Sequence, residues 1–261
     1  MRYLRLLLLQ LRISATLGMQ YRWEFLTDGA LTLVWTGIGI VPLYVAYGER
    51  PAIAGWSYEQ ALVVVGWFTL LKGVLDGAIN PSLITVVTQI RQGTLDFTLL
   101  KPADAQFLVS TAKFEIWRVI DILAAFGIIA WAFARMGITP QPAPIALSLA
   151  LIGSGALVLY SVWILVVSAA FWVVRLDNLT YLFNALLDFA RWPISIFKGA
   201  FRVVFTFVIP LALMTTYPAE ALLGRIEART AALSIAGALA FALASRLLWT
   251  RAIGRYTSAS S

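Results

Sequence analysis

Lys72 and Asp76 stand four residues apart in an otherwise apolar stretch, so on a helix they share one face. An ionisable side chain inside a membrane is expensive and is by default functional, on a transport path or in a gate. The structural alternative is an i,i+4 pair that neutralises itself, with Lys72 snorkelling outward. Asp121 opens another apolar stretch nearer an interface and admits the same two readings, the structural one more readily. Little other chemistry is available. The chain has no Cys and no His, which removes disulfides, thiolate nucleophiles, the commonest zinc ligands and every Ser-His or Cys-His arrangement. A membrane-embedded phosphotransferase would need clustered carboxylates, and Asp76-Gly77-Ala78 is only a fragment of such a motif, without the next Arg or later paired Asp. A phosphate-cradling loop needs Gly-Lys-Ser/Thr, and no Gly-Lys pair occurs. The chain is therefore expected to be no enzyme and to hold no metal or cofactor itself. Its energy must come from a partner or from an ion gradient.

The elements that position these groups are read from composition. Of 261 residues 61% are hydrophobic and 13% charged, with a mean hydropathy of +0.84. A soluble domain carries roughly 25% charged residues, so the solvent here is lipid. About 20 helical residues span a hydrocarbon core of about 30 Å. That rule gives an all-α membrane protein with six crossings, near Gly29–Tyr47, Ala61–Ile79, Val119–Ala134, within Pro144–Val174, Val203–Ala219 and Ala231–Leu248. Residues 1–25 form an N-terminal interfacial helix, with Arg2, Arg5 and Arg12 roughly on one face and Leu4, Leu8 and Leu11 elsewhere. No small-residue cleavage site comes after its leucine run, so it reads as retained.

Lys and Arg in short loops favour the cytoplasm. Arg2, Arg5, Arg12 and Arg22, then Arg91, Lys101, Lys113 and Arg118, then Arg175, Arg191, Lys198 and Arg202, and finally Arg246, Arg251 and Arg255 fall on one side. Arg50, Arg135, Arg225 and Arg229 fall on the other. Both termini are thus expected in the cytoplasm, and orientation rather than nucleic-acid binding accounts for the net charge of +7. The long cytoplasmic segments are 80–118 and 176–202. In the second, Leu179, Leu182, Phe183, Leu186 and Ala190 recur at helical spacing opposite Thr180, Asn184, Asp188 and Arg191, the pattern of an interfacial helix or of a slanted extra span.

Gln89 to Pro102 is the most distinctive segment. Gly93 can end a helix in the left-handed conformation, and Pro102 stops any helix that approaches it. Leu95, Leu99 and Leu100 form an apolar ridge among the charged Arg91, Asp96 and Lys101. Such a unit can dock into a groove on a soluble partner or simply anchor in the interface. Ala232, Ala236, Ala240 and Ala244 make a small-residue ladder for close helix packing, within the subunit or across a dimer. Trp35, Trp131 and Trp163 suit a substrate route or, more ordinarily, belts and packing.

Arg91-x-Gly93-x-Leu95-Asp96-x-x-Leu99-Leu100-x-Pro102 between the second and third spans resembles the permease subunits of ABC-2 type transporters. The likeness extends to Ala190-Arg191-Trp192-Pro193, Val208-Ile209-Pro210, Pro218-Ala219-Glu220 and the terminal Arg255-Tyr256-Thr257-Ser258-Ala259-Ser260, landmarks in family order over most of the chain. The resemblance implies one permease domain over residues 1–261 in a bacterial inner membrane. It further implies a second permease subunit, identical or related, and two copies of a separate cytoplasmic ABC ATPase that carries ATP and Mg. Gln89, Arg91, Gly93, Leu95, Asp96, Leu99, Leu100 and Pro102 would then form the coupling helix. The function implied is ATP-driven export, and a path between apolar, aromatic-bearing spans would suit an amphipathic or hydrophobic substrate. The alternative is a gradient-driven carrier, which predicts paired midplane charges and internal repeats; one ion pair and no repeat are found.

Overall fold

The computed structural model describes residues 2–20, 22–171, 184–208 and 210–254, which form helices and turns with no strand among them. The terminal motif at 255–260, the loop cation Arg175, residues 176–183 of the expected interfacial segment and Ile209 lie outside the described residues. Among the described residues five helices are long and apolar enough to cross a bilayer: Leu26–Tyr47, Tyr58–Gln92, Ile116–Met136, Pro142–Ala169 and Ala228–Ile253. They match five of the six expected crossings.

The chain begins with α1 (Arg2–Gln20) and α2 (Arg22–Tyr47). A capping box at Ser57 and Gln60 then starts α3 (Tyr58–Val74) by satisfying backbone donors that a helix start leaves free. A wide π-helical turn at Leu75–Ile79 joins α3 to α4 (Asn80–Gln92), so the rod does not end at residue 79 as expected but continues for 35 residues, about 52 Å. Short helices α5 (Asp96–Leu99) and α6 (Ala105–Ser110) come next, then α7 (Val119–Met136) and α8 (Pro142–Ala169). We call the end holding α5 and α6 proximal and the end holding the α2–α3 loop distal.

The expected fifth crossing is the principal correction. Trp56, in the distal α2–α3 loop, donates its indole N–H to Ser195 at 3.0 Å. Residues 194–202 are therefore distal, not in the segment shared with the coupling loop. From there α9 (Gly199–Val203) and a π-helical turn lead inward to Pro210. Pro210 and Leu213 share a cleft with Val158 and Phe241, deep within their helices. A second π-helical turn (Ala212–Thr216) and α10 (Tyr217–Leu222) lead back out. There Ser148, near the distal start of α8, donates to the Pro218 carbonyl at 2.6 Å, and Arg225 donates to Gln60 at 2.9 Å. Val203–Ala219 thus enters and leaves at the same end, as a re-entrant hairpin. The second of its irregular turns is tolerated because protein surrounds it: Thr215 donates to the Ala190 carbonyl at 2.6 Å, and Thr216 accepts from the Ile194 N–H at 3.1 Å.

The last helix, α11 (Ala228–Ile253), packs along α8 through Ala231, Ala238, Ser245, Trp249 and Ala252. That face is not the alanine ladder. Ala232, Ala236, Ala240 and Ala244 are exposed within the subunit. The centre of the fold is α3, 67% buried over its apolar window, against 11% for α2 and 17% for α11. Peripheral helices this apolar need lipid or another subunit around them.

Candidate functional site

Four charges meet where α7 begins against α3. Gly73 and Gly77 make the approach possible: a Cβ on residue 73 would lie 2.7 Å from the Asp121 Cβ, and one on residue 77 would lie 2.9 Å from the Arg118 Cβ. The Gly77 carbonyl accepts the Glu115 N–H at 2.8 Å. Arg118 then divides its guanidinium between two carboxylates, Asp121 at 3.2 Å and Asp76 at 3.6 Å, and stacks over its neighbour Trp117. Asp76 also faces Lys72 at 3.7 Å and accepts from Asn80 at 2.9 Å. Two cations and two anions leave the cluster neutral, which is how charges persist in an apolar bundle.

The cluster forms one wall of a cavity of about 730 Å³ between α2, α3 and α7. Its other walls carry Asp28, Thr32, Thr69 and the exposed Trp35. Arg191 reaches it from the segment before the hairpin, with its guanidinium 5.0 Å from the centre of the Phe68 ring. A space of this size, apolar with a few fixed charges, suits a drug-sized amphiphile.

The segment from Gln89 to Pro102 is built in two halves. Gly93, at φ +68°, closes α4 in the left-handed region, with the Thr94 N–H bonded to the Gln89 carbonyl and the Gly93 N–H to the Ile90 carbonyl. This Schellman closure reverses the chain within two residues. It sends Leu95 inward, where it is 0% exposed, and Leu99 packs against the same core. Leu95 and Leu99 therefore form no exposed ridge. The apolar side chains left outside are Phe97, 72% exposed, and Leu100, 81% exposed.

The far end of this loop is clasped from both termini. Arg2 donates to the Pro102 carbonyl, and Tyr3 meets the Phe107 ring edge-on at 4.9 Å and accepts the Asp104 N–H. From α11, Arg246 pairs with Asp104 and donates to Gln106 at 2.7 Å. Gln106 and Ser110 both hydrogen-bond the Tyr160 hydroxyl of α8. The Arg246 hydrogen bond, with the Phe107 N–H that Asp104 caps, holds the Asp104 carboxyl below its ordinary range.

Of the residues expected to matter, Lys72 and Asp76 are adjacent but incomplete without Arg118, which by sequence alone counts among the loop cations. Asp121 belongs to their cluster. Arg191, also a loop cation by sequence, lines the cavity. Trp35 lines it too, whereas Trp163 is buried in the core and Trp131 packs edge-on to Tyr58 at 6.5 Å. The glycines at 73 and 77, four apart and beside the Lys72 and Asp76 pair, are the sequence signal for the α3–α7 contact.

Among known families, residues 33–260 match the model described as ABC-2 family transporter protein. No curated protein and no solved structure matches the chain.

Proposed function

This chain belongs to the ABC-2 transporter family, and from that premise we propose that it is the membrane-spanning permease subunit of an ATP-driven exporter. A separate cytoplasmic ABC ATPase, two copies to a permease dimer, holds ATP and Mg and acts on the 89–102 element. The observation that carries this reading is the build of that element. A small helix is fixed at one end by the Gly93 turn, at the other by Arg2 and Arg246, and inside by Leu95, while Phe97 and Leu100 stand out as an unpartnered apolar pair. Rigid anchoring with exposed apolar knobs is what force transfer from a soluble partner requires.

We keep six crossings as the reading. Phe171 packs against Trp249 at the proximal end and Ser195 lies at the distal one. The hairpin then adds no crossing. Moving Lys198 and Arg202 to the distal side still leaves the proximal end richer in Lys and Arg, which supports a cytoplasmic proximal end and cytoplasmic termini. The cavity under the Lys72, Asp76, Arg118 and Asp121 cluster would take the substrate, an amphipathic or hydrophobic molecule.

The test is ATP hydrolysis by the complex purified from its native membrane and reconstituted in vesicles. Phe97→Asp and Leu100→Asp should abolish stimulation by the permease while leaving its insertion intact. Leu95→Asp should instead lower the yield of folded protein, because it buries a charge. Full stimulation in both surface variants would return the gradient-driven carrier, which the intramembrane charge cluster otherwise favours, to first place.

A further inference from the structure

A second cleft, unrelated to the cavity under Arg118, runs between the re-entrant hairpin and α11. Its distal mouth, about 540 Å³, is ringed by Arg202, Glu220, Arg225 and Glu227. Its deeper part, about 380 Å³, is lined by Val158, Pro210, Leu213, Leu233 and Phe241. The two parts share Thr206, Tyr217 and Thr230, so they form one channel, polar at the mouth and apolar below. Arg225 gives one N–H to Gln60. Among the described residues Arg202, Glu220 and Glu227 make no ion pair within the subunit.

Four ionisable groups around one mouth, two of each sign, close no ion pair with one another, although Glu220 lies within electrostatic reach of Arg225 and Arg202. They match a ligand that itself carries both signs. The apolar part has a matching length. Thr230 to Phe241 on α11 is about 16 Å of helix at about 1.5 Å per residue, close to one leaflet's half of a hydrocarbon core of about 30 Å. Leu233, which lines the deeper part, is 63% exposed within the subunit, so the trough opens there to the surrounding bilayer.

We propose that this cleft is a binding site for a zwitterionic phospholipid of the distal leaflet. The phosphate lies toward Arg202 and Arg225, the ammonium toward Glu220 and Glu227, and an acyl chain fills the trough beside Gly237. A primary ammonium is preferred to a quaternary one because it can donate hydrogen bonds to the carboxylates. An anionic headgroup is disfavoured by the two glutamates. The assignment rests on the membrane setting of the chain and not on which partner powers it.

Native mass spectrometry of the delipidated full chain, titrated with phosphatidylethanolamine, phosphatidylcholine or phosphatidylglycerol, tests it. One phosphatidylethanolamine should bind at least about tenfold more tightly than either of the others. Arg202→Gln should weaken that binding about tenfold, and Glu220→Gln should erase the discrimination against phosphatidylglycerol. Gly237→Trp should remove binding of all three without unfolding the chain, because a Cβ at 237 meets nothing within 4 Å and the new ring enters the trough. Equal binding of the three lipids by the unaltered chain would overturn the proposal, as would unchanged binding in Gly237→Trp or loss of a subunit contact in place of a lipid.

Discussion

Asp76→Asn isolates the role of the charge cluster. Asp76 lies 3.7 Å from Lys72 and 3.6 Å from Arg118, and each contact corresponds to about 4.5 kcal/mol of attraction at an effective dielectric constant of about 20. Most of that offsets desolvation, and Lys72 is 35% exposed, so the net loss is well below the sum. Removing the carboxylate leaves the cluster with one uncompensated positive charge, which should cost about 2–3 kcal/mol. At about 2–4 °C per kcal/mol for a chain of this size, the apparent Tm in detergent should fall by about 5–10 °C. Adding Lys72→Met restores neutrality. Arg118 keeps Asp121 at 3.2 Å, and an Asn at 76 still offers an oxygen to Asn80. The double variant should therefore recover to within about 1 kcal/mol of the original chain, the usual size of a surface-pair effect. The assay is thermal unfolding of all three proteins under one condition. A double variant as unstable as the single one would show that the charges are not coupled.

Three further outcomes rest on particular contacts. Gly93→Val should cost about 1–2 kcal/mol, because φ +68° crowds a β-branched side chain, and should uncouple ATP hydrolysis from the permease; activity equal to the parent would mean the turn does not position Phe97. Asp104, its carboxyl held low by Arg246, contributes stability that is fully present above the ordinary carboxylate value of about 3.9 and is lost as pH falls through its lower folded value. The Tm advantage of the parent over Asp104→Asn should therefore be constant from pH 7 to about 4 and shrink below it, and an advantage that grew with acid would contradict the clasp. Finally, Lys198→Cys should react with a membrane-impermeant thiol reagent added outside cells and Leu100→Cys should not; labelling of both from one side would remove the hairpin.

Most of the helical frame was legible because long apolar runs admit few alternatives in lipid. Gly93 was legible for a similar reason, since a left-handed helix end strongly favours that residue. The direction of Leu95 was not, because α5 has only four residues and a period cannot be read from one turn. Arg118 looked like an ordinary loop cation, since its partner Asp76 is 42 positions earlier and reaches it only through the α3–α7 approach at Gly73 and Gly77. Val203–Ala219 misled for a deeper reason. A hairpin buried against α8 and α3 is as apolar as a crossing, so composition cannot separate the two. Pro210 at its middle and the cations Lys198 and Arg202 before it were the signs of a turn rather than a span.

ATP-driven export by this chain requires a soluble motor pressing on Phe97 and Leu100. In this cysteine-free chain Phe97→Cys can carry a photo-activated cross-linker without competing thiols. Irradiation of native membranes should join it to a single soluble subunit with ATPase activity, and the yield should change when ATP is trapped in that subunit. No adduct with an ATP-hydrolysing protein, in membranes where the chain is folded, would contradict the assignment.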